Sequence, residues 1–310
     1  MAIRDQKGFP DEGRFYKGNL HCHSTHSDGK GTPEERIKEY RSAGYDFLAI
    51  TDHWYYTDMS EQSDENFLLL PGTELDCPPY GQEALGYHIV GIGKPGETTI
   101  PQGKIHAEPD YRAADLIALL NNSGNFAFIA HPYWLQMSSQ AYCALDGIQG
   151  LEVFNSLCQF DFGTGFSEHI ADEAVYAKRR PLLFATDDYH WEAFRDVPDH
   201  FMGYVMVKAS ELTHEAIVNA LLSGQFYASY DGPEIQNFEI KNNTVIVETS
   251  PCRQICLRSP HTIGETRCSY SDELTHAEFV LKGHEEVVRV VVYDKFGHTS
   301  WSQILPVINE

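Results

Sequence analysis

The chain has 310 residues, 42% of them hydrophobic and 22% charged, and a formal net charge of -22. That acidity argues against a nucleic-acid backbone or an anionic membrane surface as partner. No apolar run is long enough to span a bilayer, and the polar stretch 1–13 lacks the apolar core of a secretory signal, so a cytoplasmic protein is expected. The seven cysteines are scattered and odd in number, which reads as free thiols.

From residue 15 to about 232, short apolar runs alternate with helical patterns. Strands are predicted at 15–23, 46–53, 67–76, 87–93, 125–132, 150–155 and 181–190, with shorter ones at 203–208 and 226–229. Helices are predicted at 33–43, 111–123, 166–179 and 213–222. The first is the best signalled: Thr32 suits the N-cap, Pro33 the first turn, Glu35 completes a capping box, and Gly44 follows the last turn. Such alternation predicts an α/β fold with a parallel sheet or barrel. After Gly232 and Pro233 the helical period disappears. Short strands are predicted at 235–241, 244–249, 254–258, 276–281, 287–293 and 302–307, with Asn242 and Asn243 as a turn. The expected organisation is a site-bearing domain over 1–232 and a small all-β domain over 233–310.

The chemistry is concentrated at the ends of the apolar strands. His21 and His23 flank Cys22, and residues two apart in a strand face the same side. Their imidazoles can chelate a divalent ion, with Asp28 on the next loop folding back over them. Alone, this pair also fits two satisfied histidines. The pattern recurs, however: an apolar run ends in Asp52 and His53, another in Glu74, a third in His131, and a fourth in Asp188 and His190, while His88 lies within a further strand. In a β/α barrel the C-terminal strand ends share one face. Several ionisable groups delivered there need partners, and metal ions are the natural ones.

These residues resemble the PHP (polymerase and histidinol phosphatase) family of metal-dependent hydrolases. The matching pieces are His21, Cys22, His23 and Ser24 with Ser27, Asp28 and Gly29, then Thr51, Asp52 and His53, Glu74, His88, His131 with Pro132, and Asp188, Tyr189 and His190. The resemblance implies a distorted (β/α)7 barrel and a trinuclear centre. One ion takes His21, His23, Glu74 and Asp188; a second takes Asp28, His53 and His190; a third takes His88 and His131 with Glu74 as a bridge. A doublet, Asp187 and Asp188, stands where family members often have Ser before the ligand Asp. The spacing to His190 favours Asp188 as the ligand. In the tail, the stretch 224–229, then 232–235, and Val288, Arg289 and Val290 with Asp294, Trp301 and Ser302 resemble a branch that includes aryl-carbamate hydrolases (CehA/McbA-like).

Nitrogen and oxygen donors without thiolate suit two or three manganese, iron or zinc ions. The expected activity is hydrolysis of a small phosphomonoester or phosphodiester by a hydroxide held between the first two ions, with Asp28, His53 and His190 around it. An amide or carbamate hydrolase on the same centre and a non-catalytic binding module are the competing readings. The expected partner is a small-molecule substrate, with no nucleic acid and no membrane. Arg195 and Lys208 are candidate phosphate contacts, although a solvated surface charge is the plainer role. Trp54, Tyr55 and Tyr189 are candidates for an aromatic wall, and packing explains them equally well. Of the nine remaining histidines only His26 lies beside a motif.

Overall fold

The computed structural model describes residues 3–78, 86–106, 108, 110–190, 200–260, 264–271 and 273–309. Arg195 lies outside the described residues. None of the described helices is long and apolar enough to cross a membrane.

The apolar runs feed two main sheets. In the first, Leu182–Thr186, Gly150–Asn155, Asn125–Ile129, Tyr87–Gly93 and Gly72–Cys77 lie side by side in that order. The first three are parallel, and the last two pair antiparallel to their neighbours. The second sheet begins with Leu68–Leu70, Phe47–Ala49 and Arg14–Asn19 in parallel, then continues antiparallel through Gly203–Ala209 and Phe226–Tyr230.

The predicted strand 67–76 is therefore two strands. Pro71 separates Leu68–Leu70 from Gly72–Cys77 and hands the chain from one sheet to the other. Proline has no N–H for a ladder, so a break there is the local solution. On the far side, Leu182–Thr186 packs beside Gly203–Ala209 without pairing to it. The approach is close: a Cβ on Gly203 would lie 2.0 Å from the Thr186 carbonyl oxygen.

The two sheets thus enclose one interior. Phe126, Phe128, Phe184, Phe226, Phe47 and Val205 fill it, all fully buried. The chain has a mixed α/β architecture in which, among the described residues, the ladder does not close into one barrel. Gly72–Cys77 and Tyr87–Gly93 are antiparallel neighbours, so a strict succession of β/α units does not hold. Short helices Ser139–Cys143 and Ser156–Phe162 were not foreseen; Ser138 and Asn155 cap them.

The helix Pro33–Ser42 forms as its signals predict. Thr32 accepts from the Glu35 N–H, the Glu35 carboxylate accepts from the Thr32 N–H, and Gly44 takes φ 79°.

Beyond residue 233, Ile235–Lys241 and Thr244–Cys252 form a hairpin through Asn242 and Asn243, at φ 51° and 59°. Two left-handed residues match the right-handed twist of the strands, and asparagine tolerates them. Gln6–Lys7 and Leu274–Val280 complete this four-stranded sheet. The tail does not stand apart. Its strand Thr299–Ser302 pairs with Phe226–Tyr230, so the second main sheet runs on through Val287–Tyr293, Gln254–Arg258 and Glu265–Cys268.

Candidate metal centre

The nine sequence-predicted residues converge, seven from just beyond strand ends and Glu74 and His88 from within strands. The strand Arg14–Asn19 stops before His21, and the chain continues beside Tyr189 and Asp188 through backbone hydrogen bonds at both residues. That places His21 and His23 against Asp188. Asp188 itself sits at φ 56° and His131 at φ 31°, left-handed conformations that non-glycine residues seldom adopt. The strands end where these turns aim the side chains inward.

Four donor atoms crowd together, all within 4.8 Å of one another. His21 Nε2 lies 3.2 Å from His23 Nε2, 3.2 Å from Glu74 Oε2 and 3.2 Å from Asp188 Oδ1. His23 Nε2 lies 3.2 Å from that Glu74 oxygen and 3.1 Å from that Asp188 oxygen. Donors this close can share one divalent ion, whose bonds to nitrogen and oxygen are roughly 2 Å long. All four residues are buried. Asp188 Oδ1, although shut from solvent, makes no hydrogen bond. A buried anion aimed at a point without a donor fits a cation at that point.

Two further groups adjoin it. His23, Asp28, His53 and His190 each offer an atom, all within 4.8 Å of one another, and so do His53, Glu74 and His88. Asp28 Oδ1 is 3.4 Å from His190 Nε2. Glu74 bridges the groups: Oε2 faces His21, His23 and His53, while Oε1 is 3.0 Å from His88 Nδ1 and 3.6 Å from His131 Nε2. His131 Nε2 is also 3.7 Å from Asp188 Oδ2, so it stands between the two carboxylates.

Electrostatics bind this cluster together without an ion. Burial disfavours a charged His23, yet the Asp188 and Glu74 carboxylates beside it carry its pKa up to about 10. Burial likewise opposes the charges of Glu74 and Asp188, but the surrounding imidazoles hold both well below the usual carboxylate range. Protons on imidazoles stand where a divalent cation would act, and ligands must shed them to bind it.

Sequence reasoning missed the supporting layer. Glu152, fully buried, accepts from His21 Nδ1 at 2.8 Å and Thr186 Oγ1 at 2.6 Å through one oxygen. Its other oxygen accepts from the His131 N–H at 2.7 Å and Asn155 Nδ2 at 2.8 Å. In a neutral His21 ring this fixes the proton on Nδ1 and turns the Nε2 lone pair to the cluster. A lone glutamate inside an apolar strand was the available signal. Asp52 accepts from Ser24 N, Ser24 Oγ and Ser27 Oγ, each at 2.7 Å, and so anchors the loop that carries Asp28.

Asp187 faces away from the cluster. Its oxygens accept from Tyr40, Ser156 and the N–H groups of Phe201, Met202 and Gly203. The extra carboxylate is structural, and Asp188 is the one the cluster receives. Lys208 is paired in register with Phe15 and covers its ring, roughly 20 Å of strand away from His21. It makes no part of the site. Of the aromatic candidates, Tyr189 is buried under the Arg36 guanidinium, Trp54 donates to Asp76, and Tyr55 stacks on His26. The cleft over the cluster, about 250 Å³, is instead walled by Trp134, Leu157, Cys158 and Phe162.

No family model matches the chain. A curated relative, the DNA polymerase/3'-5' exonuclease PolX of Bacillus subtilis (strain 168), is 35% identical over 83 residues, covering 21% of this chain. The chain spans only 15% of the length of that relative. Among solved structures, a two-domain protein from Bacteroides vulgatus containing a predicted PHP-like metal-dependent phosphoesterase is 16% identical over 96% of this chain and 97% of its own, with a TM-score of 0.50. A putative metal-dependent phosphoesterase from Bifidobacterium adolescentis is 17% identical over 69% of this chain and 96% of its own, with a TM-score of 0.43. An amidohydrolase from Chromobacterium violaceum is 18% identical over 67% of this chain and 96% of its own, with a TM-score of 0.44. The first of these shares its fold with nearly the whole of this chain.

Proposed function

We propose that this chain is a PHP-type metal-dependent phosphoesterase acting on a small phosphate ester. The observation that carries the reading is the interlocked donor set. Buried histidine nitrogens and carboxylate oxygens converge on common points, and Asp188 Oδ1 has no hydrogen bond to satisfy it. His21, His23, Glu74 and Asp188 would hold one divalent ion; Asp28, His53 and His190 a second; and His88 and His131, with Glu74 shared, a third. Manganese, iron or zinc suits such donors.

Bound ions would supply Lewis acidity and an activated water at neutral pH. The protein's own part is positional. Glu152 orients His21 and the backbone of His131, and Asp52 holds the Asp28 loop. His190, Asp28 and His53 border the cleft, so the ion they would hold sits beside any substrate seated there. We place this chemistry within residues 1–232 and read 233–310 as a β-rich companion, in the manner of the CehA/McbA-like branch.

Amide or carbamate hydrolysis is the second reading, and one feature favours it. The described residues lining the cleft include no Lys or Arg, whereas Trp134, Leu157 and Phe162 offer it an apolar wall. Manganese-loaded protein should therefore be tested side by side on an aryl phosphomonoester, a bis-aryl phosphodiester and an aryl carbamate, each against Asp188→Asn and a chelator-treated sample. Phosphate-ester turnover lost in both controls is the expected result. Carbamate turnover alone assigns the second reading. Silence on all three with metal bound, or full turnover by Asp188→Asn, overturns the hydrolase or the ligand assignment respectively.

A further inference from the structure

Away from the metal centre, two arginines face each other across a ladder. Arg258 on Gln254–Arg258 and Arg289 on Val287–Tyr293 are register partners. Like charges directly opposite on one sheet face repel. In a chain of net charge -22, with 23 Lys and Arg against 45 Asp and Glu, the pairing is conspicuous. Both line a cleft of about 160 Å³ between these strands and the helix Glu168–Tyr176, which contributes Asp172, Val175 and Tyr176.

Arg258 hydrogen-bonds Tyr293 and feels the charges of Glu168 and Asp172, but the same acids leave Arg289 incompletely satisfied. Asp172 accepts two bonds from Arg289, Nε at 2.8 Å and Nη2 at 2.6 Å, on a single oxygen. Glu168 Oε2 accepts from Trp301 Nε1 at 2.6 Å and stands 3.7 Å from Arg289 Nη2. Among the described residues Arg289 Nη1 finds no acceptor, although the side chain is only 4% exposed. A buried guanidinium N–H without a partner is costly. Such groups in native proteins call for an explanation, a missing ion among them.

We propose that this cleft binds a small oxyanion group, a phosphate or a carboxylate, held between Arg258 and Arg289. The ligand supplies the acceptor that Arg289 Nη1 lacks and relieves the repulsion between the two guanidinium groups. The guanidinium fork matches the oxygens of either group. The helix Glu168–Tyr176 precedes residue 233 and the strands follow it, so occupancy ties the two regions together.

Calorimetric titration of the full-length, metal-loaded protein, dialysed free of unbound metal, tests this with inorganic phosphate and, separately, acetate. Arg258→Gln is the informative variant, because Arg258 is exposed and far from every metal-centre residue in the sheet. Wild type and variant share the metal centre, so binding there cancels. The expected result is a binding component for one of the two anions that weakens at least about tenfold in Arg258→Gln, the scale of a lost charge-assisted hydrogen bond, with Arg258→Lys in between. Tighter phosphate or tighter acetate identifies which group the cleft takes. Equal binding by wild type and Arg258→Gln, or no binding of either anion, overturns the proposal. Arg289→Lys, which keeps a charge for Asp172 but loses the fork, serves as the second variant.

Discussion

The regions before and after residue 233 bury different things. Around the metal centre His21, His23, Asp52, Glu74, Glu152, Asp187 and Asp188 lie at 0–3% exposure. Among the described residues beyond 233 the buried charged ones are Glu285 and Arg289, and the interior is mainly Val, Ile, Leu and Phe. Buried charge is costly unless partnered. The region before residue 233 therefore gives up stability to a set of donors aimed at common points, whereas the tail follows ordinary hydrophobic burial. Mutations should separate the two, with stability responding in the tail and metal occupancy at the strand ends.

The largest effect belongs to the tail core. Phe238, 1% exposed, packs with Ile235, Val245, Ile255 and Val290. Phe238→Ala leaves a cavity and should cost about 3–5 kcal/mol in urea unfolding. Metal content of the folded fraction should not change. A matching loss of metal would show that the tail shapes the centre.

Glu152→Gln should do the reverse. An amide has one acceptor oxygen, so two of the four donors now satisfied by Glu152 meet an N–H₂ group instead. Loss of this support to His21 and His131 should weaken metal affinity about 10–100-fold, read by competition with a chelating dye. Unchanged affinity would reduce Glu152 to a packing role.

Asp187→Asn sharpens the contrast between neighbours in sequence. Oδ2 accepts from Tyr40 OH at 2.8 Å and Phe201 N–H at 2.9 Å, and Oδ1 accepts from Met202, Gly203 and Ser156. With the amide nitrogen at Oδ2, Tyr40 can reorient its hydroxyl but the Phe201 N–H is stranded. The expected cost is about 1–3 kcal/mol by thermal unfolding, with full metal content. Metal loss equal to that of Asp188→Asn would place Asp187 in the cluster after all.

These contrasts also mark what was legible beforehand. The donors announce themselves locally: an apolar strand fixes which side chains share a face, and His21, His23, His53, Glu74, His131, Asp188 and His190 follow such strands within a few residues. Their supports do not. Glu152 meets His21 across 131 positions, and Tyr40 meets Asp187 across 147. Those contacts exist only once the sheets have stacked. Element boundaries failed for related reasons. Pro71 divides one apolar run between two sheets, and the strand expected over 181–190 ends at Thr186, just before Asp188 turns left-handed. The hairpin at Asn242 and Asn243 was readable because turn chemistry is local.

The smallest expected effect concerns the tail's own buried acid. Burial opposes the charge of Glu285, but N–H groups of Lys282 and Gly283 point at its carboxylate and hold its pKa below the ordinary 4.5. A carboxylate depressed on folding contributes stability that is fully present above its unfolded pKa. That contribution is lost as pH falls through the folded value. Glutamine does not titrate, so the stability gap between wild type and Glu285→Gln should be constant from about pH 7 down to about pH 5 and narrow below the ordinary carboxylate value. Urea unfolding at a series of pH values measures the gap directly. A gap that widens on acidification would mean that burial, and not the turn's N–H groups, governs this carboxylate. The tail would then share the strain of buried charge that otherwise distinguishes the metal centre.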